Sequence, residues 1–201
     1  MLYVIFVVQN HNEKANEKIE LMRQNEKKQL KLYEKLSLTD ALTSLYNRRY
    51  LKEIFPRQFY VADQNKQSFA FFILDLDHFK QYNDTYGHQN GDKVLQEIAQ
   101  ILKENLDHSD DYAFRLGGDE FAGIVIENNI EDIHNKINMI MDEEIKQLRQ
   151  DSNPILTCSI GAYIVDDFTY AFEEVYTLAD EALYQAKNTG RNQVVYSYKK
   201  V

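Results

Sequence analysis

Residues 112–126 read Tyr112-Ala-Phe-Arg-Leu-Gly-Gly-Asp-Glu-Phe-Ala-Gly-Ile-Val-Ile126. Two apolar runs flank Gly117-Gly118, which is the pattern of two strands joined by a hairpin turn. Asp119 and Glu120 follow the glycines at once. Side chains alternate along a strand, so these acids point to opposite faces, and one of them can meet an acid on a neighbouring strand. Two glycines also let a backbone approach a phosphate closely. Taken alone, Gly-Gly-Asp is equally ordinary turn chemistry.

Outward from the hairpin, the pattern alternates helix and strand. Phe69-Ala-Phe-Phe-Ile-Leu74 is a continuous apolar run and predicts a buried central strand. A helix is expected from Asn47 to Asp63, capped by Ser44 or Asn47. A second runs from Gly91 to Asn105, with Val94, Leu95, Ile98, Ile101 and Leu102 on one face. Beyond the hairpin come a helix over 130–149, a strand over 156–165, a helix over 172–188 closed by Gly190, and a strand over 193–198. A hairpin inside an alternating order gives an α+β fold, a mixed, mostly antiparallel sheet of five strands flanked by helices.

Bulk properties narrow the function. The 201 residues carry a net charge of -9, which argues against nucleic acid as the main partner. A nucleotide site survives that argument, because a few local cations and a metal can hold a triphosphate on an acidic protein. The one cysteine, Cys158, lies in an apolar run and reads as a buried small side chain. Residues 10–36 lack glycine and proline and place Ile19, Met22, Tyr33 and Leu36 on an imperfect heptad seam, so they read as a helical linker, either an imperfect coiled coil with a second copy or a solvated single helix. Residues 1–9 are apolar but short of the roughly 17–25 residues that span a bilayer. Two readings stay open for them: the end of a membrane helix, or a helix end that packs on a partner. The remaining residues, 37–201, read as one globular unit.

Three constellations carry chemistry. Asp75 stands at the end of the apolar strand, where a carboxylate can face a crevice and hold a hard cation. Gly117, Gly118, Asp119 and Glu120 form the second. Lys187 and Arg191, four residues apart at a helix end, form the third and can grip an anion. Carboxylates, a metal and two cations describe a polyphosphate site, where positioning and charge neutralisation do most of the work.

The residues also carry a resemblance. Gly117-Gly118-Asp119-Glu120-Phe121 is accompanied by Asp40-Ala-Leu-Thr-Ser-Leu-Tyr-Asn47-Arg48-Arg49, by Asp75-Leu-Asp-His-Phe-Lys-Gln-Tyr-Asn83 running on to Gly91-Asp92, and by Asp180-Glu-Ala-Leu-Tyr-Gln-Ala-Lys187-Asn-Thr-Gly-Arg191-Asn192. In identity, order and spacing these blocks resemble the GGDEF family of diguanylate cyclases over residues 37–198. The resemblance implies a fold like nucleotidyl-cyclase and polymerase palm domains. It implies that two GTP molecules become cyclic di-GMP and two pyrophosphates at a homodimer interface, in the cytoplasm, or on the inner face of the membrane if residues 1–9 tether the chain. It implies Mg2+ or Mn2+ held by Asp75, the Leu76 carbonyl, Asp119 and Glu120, the last two also catalytic. Asn83 and Asp92 then read guanine, Phe79 and Lys80 contact phosphate through backbone or side chain, Gly117 and Gly118 lie against the nucleotide, and Lys187 and Arg191 clamp phosphate. An upstream sensor would act through residues 10–36.

One position departs from the family. Its inhibitory product site, Arg-x-x-Asp, aligns with His108-Ser-Asp-Asp111, and histidine lacks the permanently charged fork of arginine. Weak or absent product inhibition is expected. A module that binds GTP or cyclic di-GMP without turnover is the alternative reading.

Overall fold

The computed structural model describes residues 16, 18–30, 33, 38–106, 109–150, 156–165 and 168–198. The chain divides into two units, Met1–Ser37 and Leu38–Val201. In the first, residues 18–30 are helical (α1), inside the span expected for the linker. The apolar segment 1–9 lies outside the described residues, and among those described no helix is long and apolar enough to cross a membrane.

The second unit runs β1 (Tyr46–Asn47), α2 (Arg48–Asn65), β2 (Ser68–Asp77), α3 (Phe79–Tyr86), α4 (His88–Asn105), β3 (Tyr112–Gly117), β4 (Glu120–Glu127), α5 (Ile130–Gln150), β5 (Thr157–Val165), α6 (Phe172–Asn188) and β6 (Val194–Ser197). The strands form one sheet in the order β1-β3-β4-β2-β5-β6. Its four central strands are antiparallel, and the edge strands β1 and β6 pair in parallel. The mixed, mostly antiparallel sheet is therefore as expected, with six strands where five were expected. The extra strand, Tyr46–Asn47, pairs with Phe114 and Arg115. Two residues are too few to show an alternating pattern.

The apolar run of β2 reads as continuous because both of its faces are covered. Ala70, Phe72, Leu74 and Leu76 join α4 and α5 in one core; Phe69, Phe71 and Ile73 join α2 and α6 in the other. Each buried Phe, Leu or Ile among them contributes about 1.5–3 kcal/mol. This alternation also sends Asp75 and Asp77, the next odd-numbered residues of β2, to the α2/α6 side.

Helix starts follow local chemistry. Asn47 caps α2, its Oδ1 accepting from the Arg49 and Tyr50 N–H groups at 3.1 Å each. Helix α3 was not expected: it spans eight residues, is mostly polar, and buries only Phe79 and Tyr82. Helix α4 begins at His88, ahead of the expected Gly91, because its first turn carries no apolar residue to mark it.

Candidate active site

The hairpin of β3 and β4 turns at Gly118-Asp119, between strand ends at Gly117 and Glu120. Gly117 and Gly118 have φ of 143° and 56°, values that L side chains rarely adopt. The Leu76 N–H reaches the Asp119 carbonyl at 3.4 Å, which ties the turn to β2. Arg115 fastens the turn from the other side. Its Nε and Nη2 donate to the Gly118 carbonyl at 3.2 and 2.8 Å, and its Nη1 donates to Asp40 Oδ1 at 2.9 Å. Asp40 also accepts from the Thr43 N–H and hydroxyl at 2.9 and 2.7 Å. Burial pushes the Asp40 pKa up, but the Thr43 and Arg115 hydrogen bonds and the guanidinium charge outweigh it and hold the carboxyl below its usual range.

Glu120 stands directly across from Asp75 in the β2–β4 register. Both share the α2/α6 side of the sheet, so Glu120 is the acid that meets Asp75 across the strands. Lys187 of α6 brings its Nζ to 2.7 Å from Asp75 Oδ1. Burial raises the Asp75 pKa; Lys187 works against that rise, and the charges of Asp119 and Glu120 add to it. Acids that repel one another this way favour a bound cation. Among the described residues, no three His, Cys, Asp or Glu side chains already form a metal cage. The oxygen-only donors suit a hard cation of the Mg2+ type, which commonly takes one or two carboxylates and completes its shell with substrate phosphate and water.

A short distance along the chain, α3 starts after His78, which makes no side-chain cap. The first N–H groups of a helix have no partner within it, so those of Phe79 and Lys80 can meet an anion. The Phe79 ring is buried, its centroid 6.4 Å from that of Tyr82, which leaves the Phe79 backbone as its group open to an anion. Lys80 is exposed, as is Asp92 in the first turns of α4. Asn83 is half-buried, and its Oδ1 is buried without a hydrogen-bond partner. A Cβ at Gly91 would stand 1.9 Å from that oxygen.

Arg191 lies in the turn after α6, its Nε 3.9 Å from Asp77 Oδ1. His108 lies outside the described residues. Asp111 is buried, accepts from the Ile126 N–H at 3.0 Å and pairs with Lys136 at 2.6 Å; Lys136 also pairs with Glu127. Two groups escaped sequence reasoning: the Arg115–Asp40 fastening and the buried Asp77 carboxylate. All three residues, Asp40, Asp77 and Arg115, stand inside the stretches quoted above, but nothing in their spacing says which backbone they hold.

Comparison with known proteins places the chain. The family described as diguanylate cyclase, GGDEF domain, matches residues 37–193. The diguanylate cyclase DosC of Shigella sonnei is 38% identical over 158 residues, covering 77% of this chain but 34% of that protein. The chain thus spans about a third of that relative's length. The GGDEF domain of DgcB from Caulobacter crescentus, solved in complex with c-di-GMP, superposes with a TM-score of 0.71 at 31% identity, covering 80% of this chain and 95% of that one. A structure of the coiled coil and GGDEF domain of the same protein, also with c-di-GMP, gives a TM-score of 0.71 at 28% identity over 93% of this chain and 98% of that one. The chain belongs to the diguanylate cyclase GGDEF domain family.

Proposed function

We propose that this chain joins two GTP molecules into cyclic di-GMP. The observation that carries the reading is the meeting of Asp75 and Glu120 across paired strands, with the Gly-Gly-Asp turn bonded to Leu76 and with Lys187 Nζ 2.7 Å from Asp75 Oδ1. Asp75, the Leu76 carbonyl, Asp119 and Glu120 would hold Mg2+ or Mn2+, which supplies charge neutralisation at the phosphates when bound. Lys187 and Arg191 clamp phosphate, with the Phe79 and Lys80 amides and the backbone of Gly117 and Gly118 beside them. Asn83 and Asp92 read guanine. A carboxylate accepts from the guanine N1 and N2 hydrogens, a pattern adenine lacks, and loss of such a pattern gives strong rejection.

Each subunit of a homodimer presents one GTP. The 3'-hydroxyl oxygen of each attacks the α-phosphorus of the other, the bond from that phosphorus to pyrophosphate breaks, and the hydroxyl proton leaves. Two such transfers close the ring and release two pyrophosphates. The reading puts the protein in the cytoplasm, with GTP. Helix α1 supports pairing, since it exposes Ile19, Leu21, Met22 and Leu30. Product inhibition is weak, because Asp111 is turned inward and committed to Lys136 and Ile126; a submicromolar inhibition constant abolished by Asp111→Asn would contradict this. The test is incubation with GTP and Mg2+ beside an Asp119→Ala/Glu120→Ala control, with chromatography of the nucleotides. Cyclic di-GMP from the intact chain alone supports the reading; nucleotide binding without turnover would replace it with a regulatory binding module.

A further inference from the structure

Asp77 is a buried carboxylate with no part in the chemistry above. Its side chain is closed off from solvent, yet it accepts four contacts. Thr157 Oγ1 donates to Oδ2 at 2.7 Å and Ser159 Oγ donates to Oδ1 at 2.8 Å, both from β5. The backbone N–H of Asn192 donates to Oδ2 at 3.1 Å, and Arg191 Nε lies 3.9 Å from Oδ1. The turn it holds is strained. Arg191 and Asn192 have φ of 61° and 49° and follow Gly190 at 129°. Two successive non-glycine residues in the left-handed region each cost about 1 kcal/mol or more, and they persist only where the surroundings hold them. On one side the Arg191 N–H bonds the Ala186 carbonyl at 2.9 Å; on the other stands Asp77.

We propose that Asp77 is a positioning residue: it anchors the Gly190–Asn192 turn to the end of β2 and so fixes Arg191 where it meets the nucleotide's phosphates. Asp77 stands two positions beyond Asp75, on the same face of the same strand. Arg191 is thus referenced to the acidic site through one rigid element, while its guanidinium end stays partly exposed for the ligand. The inference rests on the site reading above.

The experiment is titration with a non-hydrolysable GTP analogue in Mg2+. Asp77→Asn replaces the acceptor facing the Asn192 N–H and the arginine with a neutral amide. It is expected to weaken binding about tenfold, as is Arg191→Ala, and the double variant to be no weaker than Arg191→Ala alone. Thr157→Val with Ser159→Ala removes the other contacts of Asp77 and is expected to leave affinity within about twofold. Additive losses in the double variant, or unchanged affinity in a folded Asp77→Asn, overturn the proposal. Wild-type amide exchange reads the same contact without substitution: the Asn192 amide is expected to exchange about a hundredfold more slowly than an exposed amide, and free exchange also overturns the proposal. A wild type that binds no nucleotide overturns the reading of the site itself, and this inference with it.

Discussion

Gly91→Ala sets two magnitudes against each other. Gly91 lies in a helix, where alanine is favoured over glycine by about 0.8–1.0 kcal/mol. The new Cβ, however, would stand 1.9 Å from Asn83 Oδ1, 2.9 Å from Asn83 Cγ and 3.2 Å from Phe79 Cζ. An ordinary carbon–oxygen contact is about 3.3 Å, so the Asn83 amide must move by over about 1 Å. The Phe79 contact needs only a few tenths. With Asn83 in its proposed guanine-reading role, the displacement spoils its bond geometry, worth about 1–3 kcal/mol where the partner is left unmet. The variant should therefore keep its Tm within about 4 °C of the wild type while its GTP affinity falls about tenfold. Calorimetric titration with a non-hydrolysable GTP analogue gives the affinity, and thermal unfolding gives the Tm. In an Asn83→Ala background the same substitution should cost nothing further, since the clash is gone. Wild-type affinity in Gly91→Ala, or an equal loss with and without Asn83, would refute the reasoning.

Arg115→Met removes the fastening of the signature turn to Asp40 and should abolish most turnover while costing about 1–3 kcal/mol, read by denaturant unfolding. The Asp40 carboxyl has a folded pKa below its unfolded value of 3.8, so its bridge stabilises above that pH and is lost as pH falls through the folded value; Asp40→Asn should flatten this acid limb of the Tm profile. Lys136→Met leaves the buried Asp111 and part-buried Glu127 without their cation and should cost about 3–5 kcal/mol by urea titration, partly recovered by adding Asp111→Asn. Gly161→Ala would put a Cβ 2.0 Å from the Leu183 N and 2.4 Å from the Ala179 carbonyl, both backbone atoms of α6, and should cost about 3 kcal/mol or more; a Tm equal to the wild type's would show that α6 can back away from β5.

What the sequence disclosed followed from length and pattern. Phe69–Leu74 announced a strand covered on both faces, and Gly117-Gly118 between apolar runs announced the hairpin. Helices α5 and α6 were legible because their apolar stripes repeat over several turns. Helix α3 and strand β1 are too short to repeat anything. Among the site residues, alternation put one of Asp119 and Glu120 on Asp75's face, but only the register of β2 against β4 shows that it is Glu120. The β3–β4 pairing also carries an irregularity between Arg115 and Gly117, which no residue pattern signals. Asp77 and Asn192 lie 115 residues apart, so their hydrogen bond is a product of the whole topology.

The most direct test of the account is a crystal structure with a non-hydrolysable GTP analogue and Mn2+, read in the anomalous map. The account predicts manganese between Asp75 and the Asp119–Glu120 pair, with the guanine edge at Asn83 and Asp92 and the phosphates beside Lys187 and Arg191. Manganese bound away from Asp75, or a base seated outside the Asn83 and Asp92 pair, would contradict it.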